Sequence, residues 1–287
     1  LSQAVGFIMG ANIGTTVTAW ILSLAGIESS NFFVRLLNPN SFSPILALIG
    51  VVFIVFLHDE KKKDIGNILV GFAVLMFGMN TMSGAVKPLA EVPEFTNILL
   101  KFSNPVLGVL AGALLTAVIQ SSSASVGILQ ALCVTGAVRY GAALPIIMGQ
   151  NIGTCITAML SSIGATKNAK RAAIVHLYFN IVGTVTFMVV FYVLNGFLHF
   201  SFIEEVAGPA GIAVIHSAFN IIATLVLLPF GDMLVKMACA TVRDTKEEKV
   251  ISAEDQEFMI LESRFLSNPG IAIEQSKTAA KKMAEQS

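Results

Sequence analysis

Between Pro105 and Thr166 the chain carries a single charged side chain, Arg139. A charge in hydrocarbon costs several kcal/mol, so a stretch this long and this apolar is built for a bilayer. The rest of the chain agrees. It has 18 Lys plus Arg and 18 Asp plus Glu, and half of these 36 fall in residues 232–287. A soluble domain carries about 25% charged residues, whereas this chain has 13% and a mean hydropathy of +0.78. Those values exclude a single soluble globule, a disordered chain and a coiled coil. Three cysteines, an odd number, exclude a disulfide scaffold. A formal net charge of zero argues against nucleic acid as a partner.

Spanning a bilayer takes about 20 apolar residues in a helix. Seven segments qualify: Gln3–Gly26, Ser43–Leu57, Ile65–Val86, Pro105–Val138, Gly141–Gly164, Ala172–Leu194 and Val206–Gly231. Pro105–Val138 is too long for one crossing and polar in its middle, at Gln120-Ser121-Ser122-Ser123-Ala124-Ser125. It reads as a re-entrant hairpin that turns at the serines. Gly141–Gly164 contains Gly149-Gln150-Asn151-Ile152-Gly153-Thr154, expected to break or unwind its helix at mid-depth, where irregular backbone persists only beside protein or a wet cavity. Residues 1–231 thus form a membrane domain. Residues 232–287 form a polar tail, in which Asn268-Pro269 opens a helix running through Ile271–Glu285.

Basic residues set the orientation. Lys61–Lys63, Lys167, Lys170, Arg171, Lys236, Arg243, Lys246 and Lys249 fall on one side, the cytoplasm. Arg35, Lys87, Lys101 and Arg139 fall on the other. Ten against four places the tail inside the cell, with the lipid bilayer as a partner. Lys87–Asn104 reads as an external interfacial connection.

Leu1–Gly26 aligns without gaps to Tyr140–Ala165, with 11 of 26 positions identical. The matches include Asn12-Ile13-Gly14-Thr15 with Asn151-Ile152-Gly153-Thr154, so they are not the chance agreement of two apolar runs. Three crossings separate the copies, which therefore run in opposite directions. Inverted repeats with broken helices meeting near the midplane are the build of secondary transporters. The second repeat extends over about residues 105–165, serine cluster included. The corresponding cluster of the first repeat would precede Leu1, so the chain reads as a fragment with its first hairpin missing. A shorter echo pairs His176 and Asn180 with His216 and Asn220; the histidines read as structural partners of the nearby asparagines.

The polar groups expected at mid-membrane are Gln120, Ser121, Ser122, Ser123, Ser125, Asn12, Thr15, Thr16, Gln150, Asn151, Thr154 and Thr157, all neutral. Buried hydroxyls and amides are costly unless paired. Helix N-termini and hydroxyls suit an oxyanion, while carbonyl and side-chain oxygens suit Na⁺. A proton-coupled carrier would more often keep an intramembrane carboxylate, so this set favours sodium. Gly10-x-x-x-Gly14 and Gly149-x-x-x-Gly153 also fit close helix packing; the duplicated Asn and Thr favour a site. For Gly108-x-x-x-Gly112, packing is the better reading. Arg139 reads as an interfacial anchor.

Gln120-Ser121-Ser122-Ser123, with the paired Gly-x-Asn-Ile-Gly-Thr elements, resembles the type II sodium–phosphate cotransporter family in its bacterial form, over Leu1 to about Asp232. The resemblance implies an all-α membrane protein and sodium-coupled symport of inorganic phosphate by alternating access. Gln120, Ser121, Ser122, Ser123, Asn151, Thr154, Asn12 and Thr15 would then bind phosphate. Sodium, the co-transported ion, would be held by Ser122, Ser123, Gln150, Thr154, Thr157 and Thr16, with no organic cofactor and no enzymatic activity. The tail from Arg264 resembles the start of a PhoU-like helical domain. Three rivals stand: symport of sulfate or arsenate, a regulatory membrane module working through the tail, and an intramembrane serine hydrolase using Ser122 or Ser123 with His176 or His216. The hydrolase lacks a Gly-x-Ser-x-Gly elbow. Oligomeric state and transport direction are not encoded legibly.

Overall fold

The computed structural model describes residues 1–24, 39–94, 97, 101–243 and 277. The expectations for a helix over Ile271–Glu285 and for a PhoU-like tail lie outside the described residues. So do Gly26, Arg35, Lys246 and Lys249. Contacts divide the chain into two compact units, Leu1–Ala238 and Cys239–Ser287. In the second, Arg243 Nε donates to the Ala240 carbonyl at 3.2 Å.

The described residues are helical, apart from one isolated antiparallel bridge between Arg139 and Val206. The helices are α1 Ser2–Ser23, α2 Pro39–Phe56, α3 Glu60–Val86, α4 Pro105–Ile119, α5 Ser122–Val134, α6 Tyr140–Ser161, α7 Lys167–Leu198, α8 Pro209–Leu227 and α9 Gly231–Thr241. Among the described residues, five stretches are long and apolar enough to cross a membrane: Gln3–Ser23, Glu60–Val86, Tyr140–Ser161, Lys167–Leu198 and Pro209–Thr241. The chain is an all-α, multi-pass membrane protein.

Helix starts follow local capping chemistry. Asp59 Oδ1 accepts from the Lys62 amide at 3.2 Å, so α3 begins in the charged cluster, ahead of its apolar run. Asn104 Oδ1 accepts from the Val106 and Leu107 amides at 3.0 and 3.3 Å, and Pro105 takes the first helical position. Thr166 Oγ1 accepts from the Ala169 amide at 3.3 Å and starts α7, which at 32 residues is about 48 Å long and outruns a bilayer core.

The re-entrant hairpin forms where the sequence places it. α4 and α5 have 15 and 13 residues, each too short to cross about 30 Å of hydrocarbon. They are joined at Gln120 and Ser121, and the Gln120 backbone is left-handed at φ 58°. Both arms lie on α6.

α4 packs on α6 backbone to backbone. A Cβ added at Gly112 would run into the Ile146 carbonyl, and one at Gly149 into the Val109 carbonyl. One at Gly153 would stand 2.5 Å from the Ala113 carbonyl and 2.7 Å from Thr116 Cβ. This corrects two expectations. α6 continues unbroken through Gly149–Thr154, and α1 likewise through Gly10–Thr15. The broken helices do not form, because Asn12, Asn151 and Thr154 all bond carbonyls of their own helix. Gly149 and Gly153 serve packing, as Gly108 and Gly112 do.

The repeat is inverted. Ile8 shares a cavity with Ala158, Ser161 and Ser162 at the end of α6, whereas Ala19 joins a buried cluster with Ala143 and Ile147 near its start. α1 and α6 therefore run antiparallel, and interpolation brings Asn12 level with Thr154. The faces differ. Among the described residues nothing lies within 4 Å of a Cβ built at Gly6, Gly10 or Gly14, while the matching α6 face is covered by α4.

Arg139 is held by protein as well as by any interface. Its guanidinium pairs with Glu204 at 2.9 Å, while the Tyr140 amide donates to the Glu205 carbonyl at 3.1 Å and the Ala207 amide to the Val138 carbonyl at 2.8 Å. The exposed pair itself contributes at most about 1 kcal/mol.

Gly112→Ala is expected to destabilise the membrane unit by about 1–3 kcal/mol through overpacking. Gly71→Ala on α3, where a Cβ meets nothing within 4 Å, should stay within about 0.5 kcal/mol of the parent. Thermal unfolding of the two detergent-purified variants measures the difference; equal midpoints would contradict the α4–α6 packing.

Candidate functional site

The site is built from the tip of the α4–α5 hairpin. Ser121 is the N-cap of α5, its hydroxyl accepting from the Ala124 amide at 3.2 Å, and the Ser125 amide reaches the Ser121 carbonyl at 3.0 Å. A helix leaves its first amides without intrahelical acceptors, so those of Ser122 and Ser123 stay available. Both serine hydroxyls are half-buried and form no hydrogen bond among the described residues. Gln120 is exposed at the turn, its amide closing on the Thr116 carbonyl at 2.7 Å. Two amides, two hydroxyls and the positive end of a helix dipole converge here, with no charged side chain in either arm.

Behind the tip, polar groups are spent on the protein. Thr116 Oγ1 donates to Ser125 Oγ at 2.8 Å, and Gln150 Nε2 donates to the Ser125 carbonyl at 3.0 Å. Ser125 and Thr116 are wholly buried, and Gln150 nearly so. Packing fixes the register. Gly153 on α6 lies against Thr116, and Gln150 against Ser125, which brings Thr154 to the height of the tip.

The two copies of the Asn-Ile-Gly-Thr element form matching bonds. Asn12 Nδ2 donates to the Ile8 carbonyl and Asn151 Nδ2 to the Ile147 carbonyl, each at 2.9 Å. Thr15 Oγ1 turns back to the Asn12 carbonyl at 2.7 Å, and Thr154 Oγ1 to the Gln150 carbonyl at 2.9 Å. Thr16 is buried, its hydroxyl on the Ile13 carbonyl at 2.7 Å. Each hydroxyl has spent its proton on the helix and presents oxygen lone pairs outward, the form a cation uses. Thr157 is exposed, its hydroxyl on the Thr154 carbonyl at 3.1 Å, and lies toward the edge of this group. The structure thus gathers Gln120, Ser121, Ser122, Ser123, Gln150 and Thr154 in one half. Asn12, Thr15 and Thr16 come at comparable depth on α1, each bonded to a carbonyl of its own helix.

Several buried polar groups escape a reading of motifs. Gln130 Nε2 donates to the Ala19 carbonyl at 2.9 Å and to the Pro209 carbonyl at 3.0 Å, tying α5 to α1 and α8. Asn180 Nδ2 donates to the His176 carbonyl at 3.0 Å and meets Cys155 Sγ at 3.3 Å. Asn220 Nδ2 donates to the His216 carbonyl at 2.8 Å. The asparagines therefore pair with the backbone of the histidines and not with their rings, and the carboxamide oxygens of Gln130, Gln150, Asn180 and Asn220 stay buried without a partner among the described residues. Thr116 had a signal in the sequence, since it continues the four-residue spacing of Gly108 and Gly112. Gln130 had none. Neither His176 nor His216 bonds Ser122 or Ser123, so no Ser–His pair forms.

These features define a polytopic helical membrane protein whose intramembrane polar groups are neutral and centred on a re-entrant tip. The chain belongs to the Na⁺/Pi-cotransporter family, whose profile matches residues 1–84 and 75–204. It is 25% identical over 252 residues to the putative inorganic phosphate export protein YjbB of Salmonella typhimurium strain LT2, covering 86% of this chain and 43% of that protein. It is 24% identical over 238 residues to the uncharacterized protein YqeW of Bacillus subtilis strain 168, covering 82% of this chain and 71% of that protein. It is also 43% identical over 84 residues to the human sodium-dependent phosphate transport protein 2B, covering 27% of this chain and 12% of the relative. The chain thus spans less than half the length of the YjbB and human relatives. No solved structure matches it.

A charged, membrane-impermeant methanethiosulfonate reagent separates wet from lipid-facing exposure. Cysteines placed at Gln120 and Ser122 should react. Cysteines at Ser125, which is buried, and at Leu110, which is 60% exposed on α4, should not. Reaction at Leu110→Cys as fast as at Ser122→Cys would contradict a polar path to the tip.

Proposed function

We propose that the chain is the membrane domain of a sodium-coupled inorganic phosphate symporter in the cytoplasmic membrane, working by alternating access. The observation that carries this reading is the tip itself. A phosphate oxygen would accept from the Ser122 and Ser123 amides at the start of α5, and their hydroxyls would donate further bonds. No Lys or Arg stands in either arm to neutralise the anion. Here the charge is balanced by Na⁺, which would be taken up with phosphate and leave with it. Ser122, Ser123, Gln150, Thr154, Thr157 and Thr16 supply neutral oxygens for the cation, with Asn151, Asn12 and Thr15 framing the centre. Membership of the Na⁺/Pi-cotransporter family and the name of the human relative support sodium and phosphate as the cargo.

The Gly6, Gly10 and Gly14 face of α1 has nothing within 4 Å of an added Cβ among the described residues. By the repeat, it is the face that α4 covers on α6. We read the tail, residues 232–287, as cytoplasmic and PhoU-like. A second reading, outward movement of phosphate, draws on the name of the Salmonella relative. Both directions use the same site, and the sodium gradient decides between them. Sulfate or arsenate as cargo, or a regulatory role through the tail, would leave the tip geometry unchanged.

Uptake of ³²P-phosphate into proteoliposomes separates these readings. An inward sodium gradient should raise uptake at least tenfold over a choline gradient, and Ser122→Ala/Ser123→Ala should abolish the increment. Phosphate uptake indifferent to sodium would overturn symport. Sulfate competing as well as phosphate would reassign the cargo, and movement only outward would establish export.

A further inference from the structure

The hairpin arms are not packed against each other along their length. A cavity of about 410 Å³ separates them, lined by Leu114 and Val118 of α4 and by Ile128 and Leu132 of α5, with Gln150 among its walls. Apolar side chains that fail to interdigitate cannot fix how one arm sits on the other. The turn of Gln120 and Ser121 joins the arms at one end only. The one side-chain hydrogen bond between the arms is Thr116 Oγ1 to Ser125 Oγ, at 2.8 Å.

We infer that Thr116, Ser125 and Gln150 form a buried polar staple that positions the tip of the hairpin, and are positioning residues for the anion site; their effect on transport rests on the reading above. The geometry is specific. Thr116 lies one turn before Gln120, and Ser125 one turn after Ser121, so the bond closes the loop immediately beneath the serines. Gln150 reaches in from α6 and holds the Ser125 carbonyl at 3.0 Å, setting the start of α5 against the one helix the hairpin packs on most closely. Thr116 can approach only because Gly153 has no side chain, its Cβ position being 2.7 Å from Thr116 Cβ. The packing glycine and the staple thus belong to one arrangement. Thr116 and Ser125 are wholly buried, so they act on cargo through the Ser122 and Ser123 amides that they aim. A hydroxyl-to-hydroxyl bond in a medium of low dielectric is strong while made and costly when half is removed.

The test uses Thr116→Val, which keeps shape and removes the hydroxyl, Thr116→Ser, which keeps the hydroxyl, and Ser125→Ala. In hydrogen exchange of the detergent-purified protein, Thr116→Val should speed exchange of the bonded Gln120, Ala124 and Ser125 amides about tenfold, the loss of one buried hydrogen bond. Thr116→Ser should restore the parental rate, while α7 exchanges as before. Unchanged exchange at the tip, or a rise spread equally over α7, would overturn the staple. In proteoliposomes the same Thr116→Val should raise the apparent KM for phosphate about tenfold with a smaller change in maximal rate. Faster tip exchange with an unaltered KM would leave the staple standing and overturn the anion-site reading instead.

Discussion

The Ile146 carbonyl occupies the place where a side chain on residue 112 would begin, and the Val109 carbonyl does the same for residue 149. Much of the fold depends on that approach. In hydrocarbon there is no hydrophobic drive to bring helices together, so van der Waals contact between bare backbones has to supply the adhesion. Glycine at 108, 112, 149 and 153 lets α4 lie on α6 closely enough for the purpose. A 15-residue helix that cannot cross the bilayer is thereby kept at a fixed depth, with its C-terminal turn and the start of α5 inside. The buried threonine at 116 and the serine at 125 extend the contact into polar bonds at the place where backbone would otherwise be exposed to lipid.

The hairpin was legible because two physical limits coincide in the sequence. Pro105–Val138 is too long for one helix and too short for two spans, and its polar residues sit in the middle. The Gly149–Thr154 element misled for an equally physical reason. Asn, Thr and Gly are poor helix formers in water, where their side chains compete for the backbone. In a membrane the same side chains have no water to turn to. They bond the carbonyl three or four residues back, as Asn12, Asn151, Thr15 and Thr154 do, and the helix survives. The repeat made the inversion legible before any coordinates, because counting crossings needs only hydropathy. Gln130 could not be foreseen. It is one amide in an apolar helix, and its acceptor on α1 is 111 residues away.

The functional logic follows from what the interior lacks. No charged side chain lies in α1, α4, α5 or α6, so an anion at the tip meets only dipoles, amides and hydroxyls. On the symport reading, such a site would be weak alone and stronger when a cation occupies neighbouring oxygens, each ligand raising the affinity of the other by the same factor. On the proposed reading, the threonine hydroxyls that have given their protons to the helix would supply acceptors of the kind Na⁺ selects.

The most direct measurement is equilibrium binding of ³²P-phosphate to the purified protein, titrated at fixed ionic strength as sodium replaces choline. If the neutral tip and its cation act as a pair, phosphate affinity should rise at least tenfold between sodium-free and sodium-saturated buffer, and Ser122→Ala/Ser123→Ala should remove the binding. Phosphate bound equally well in choline would contradict the account.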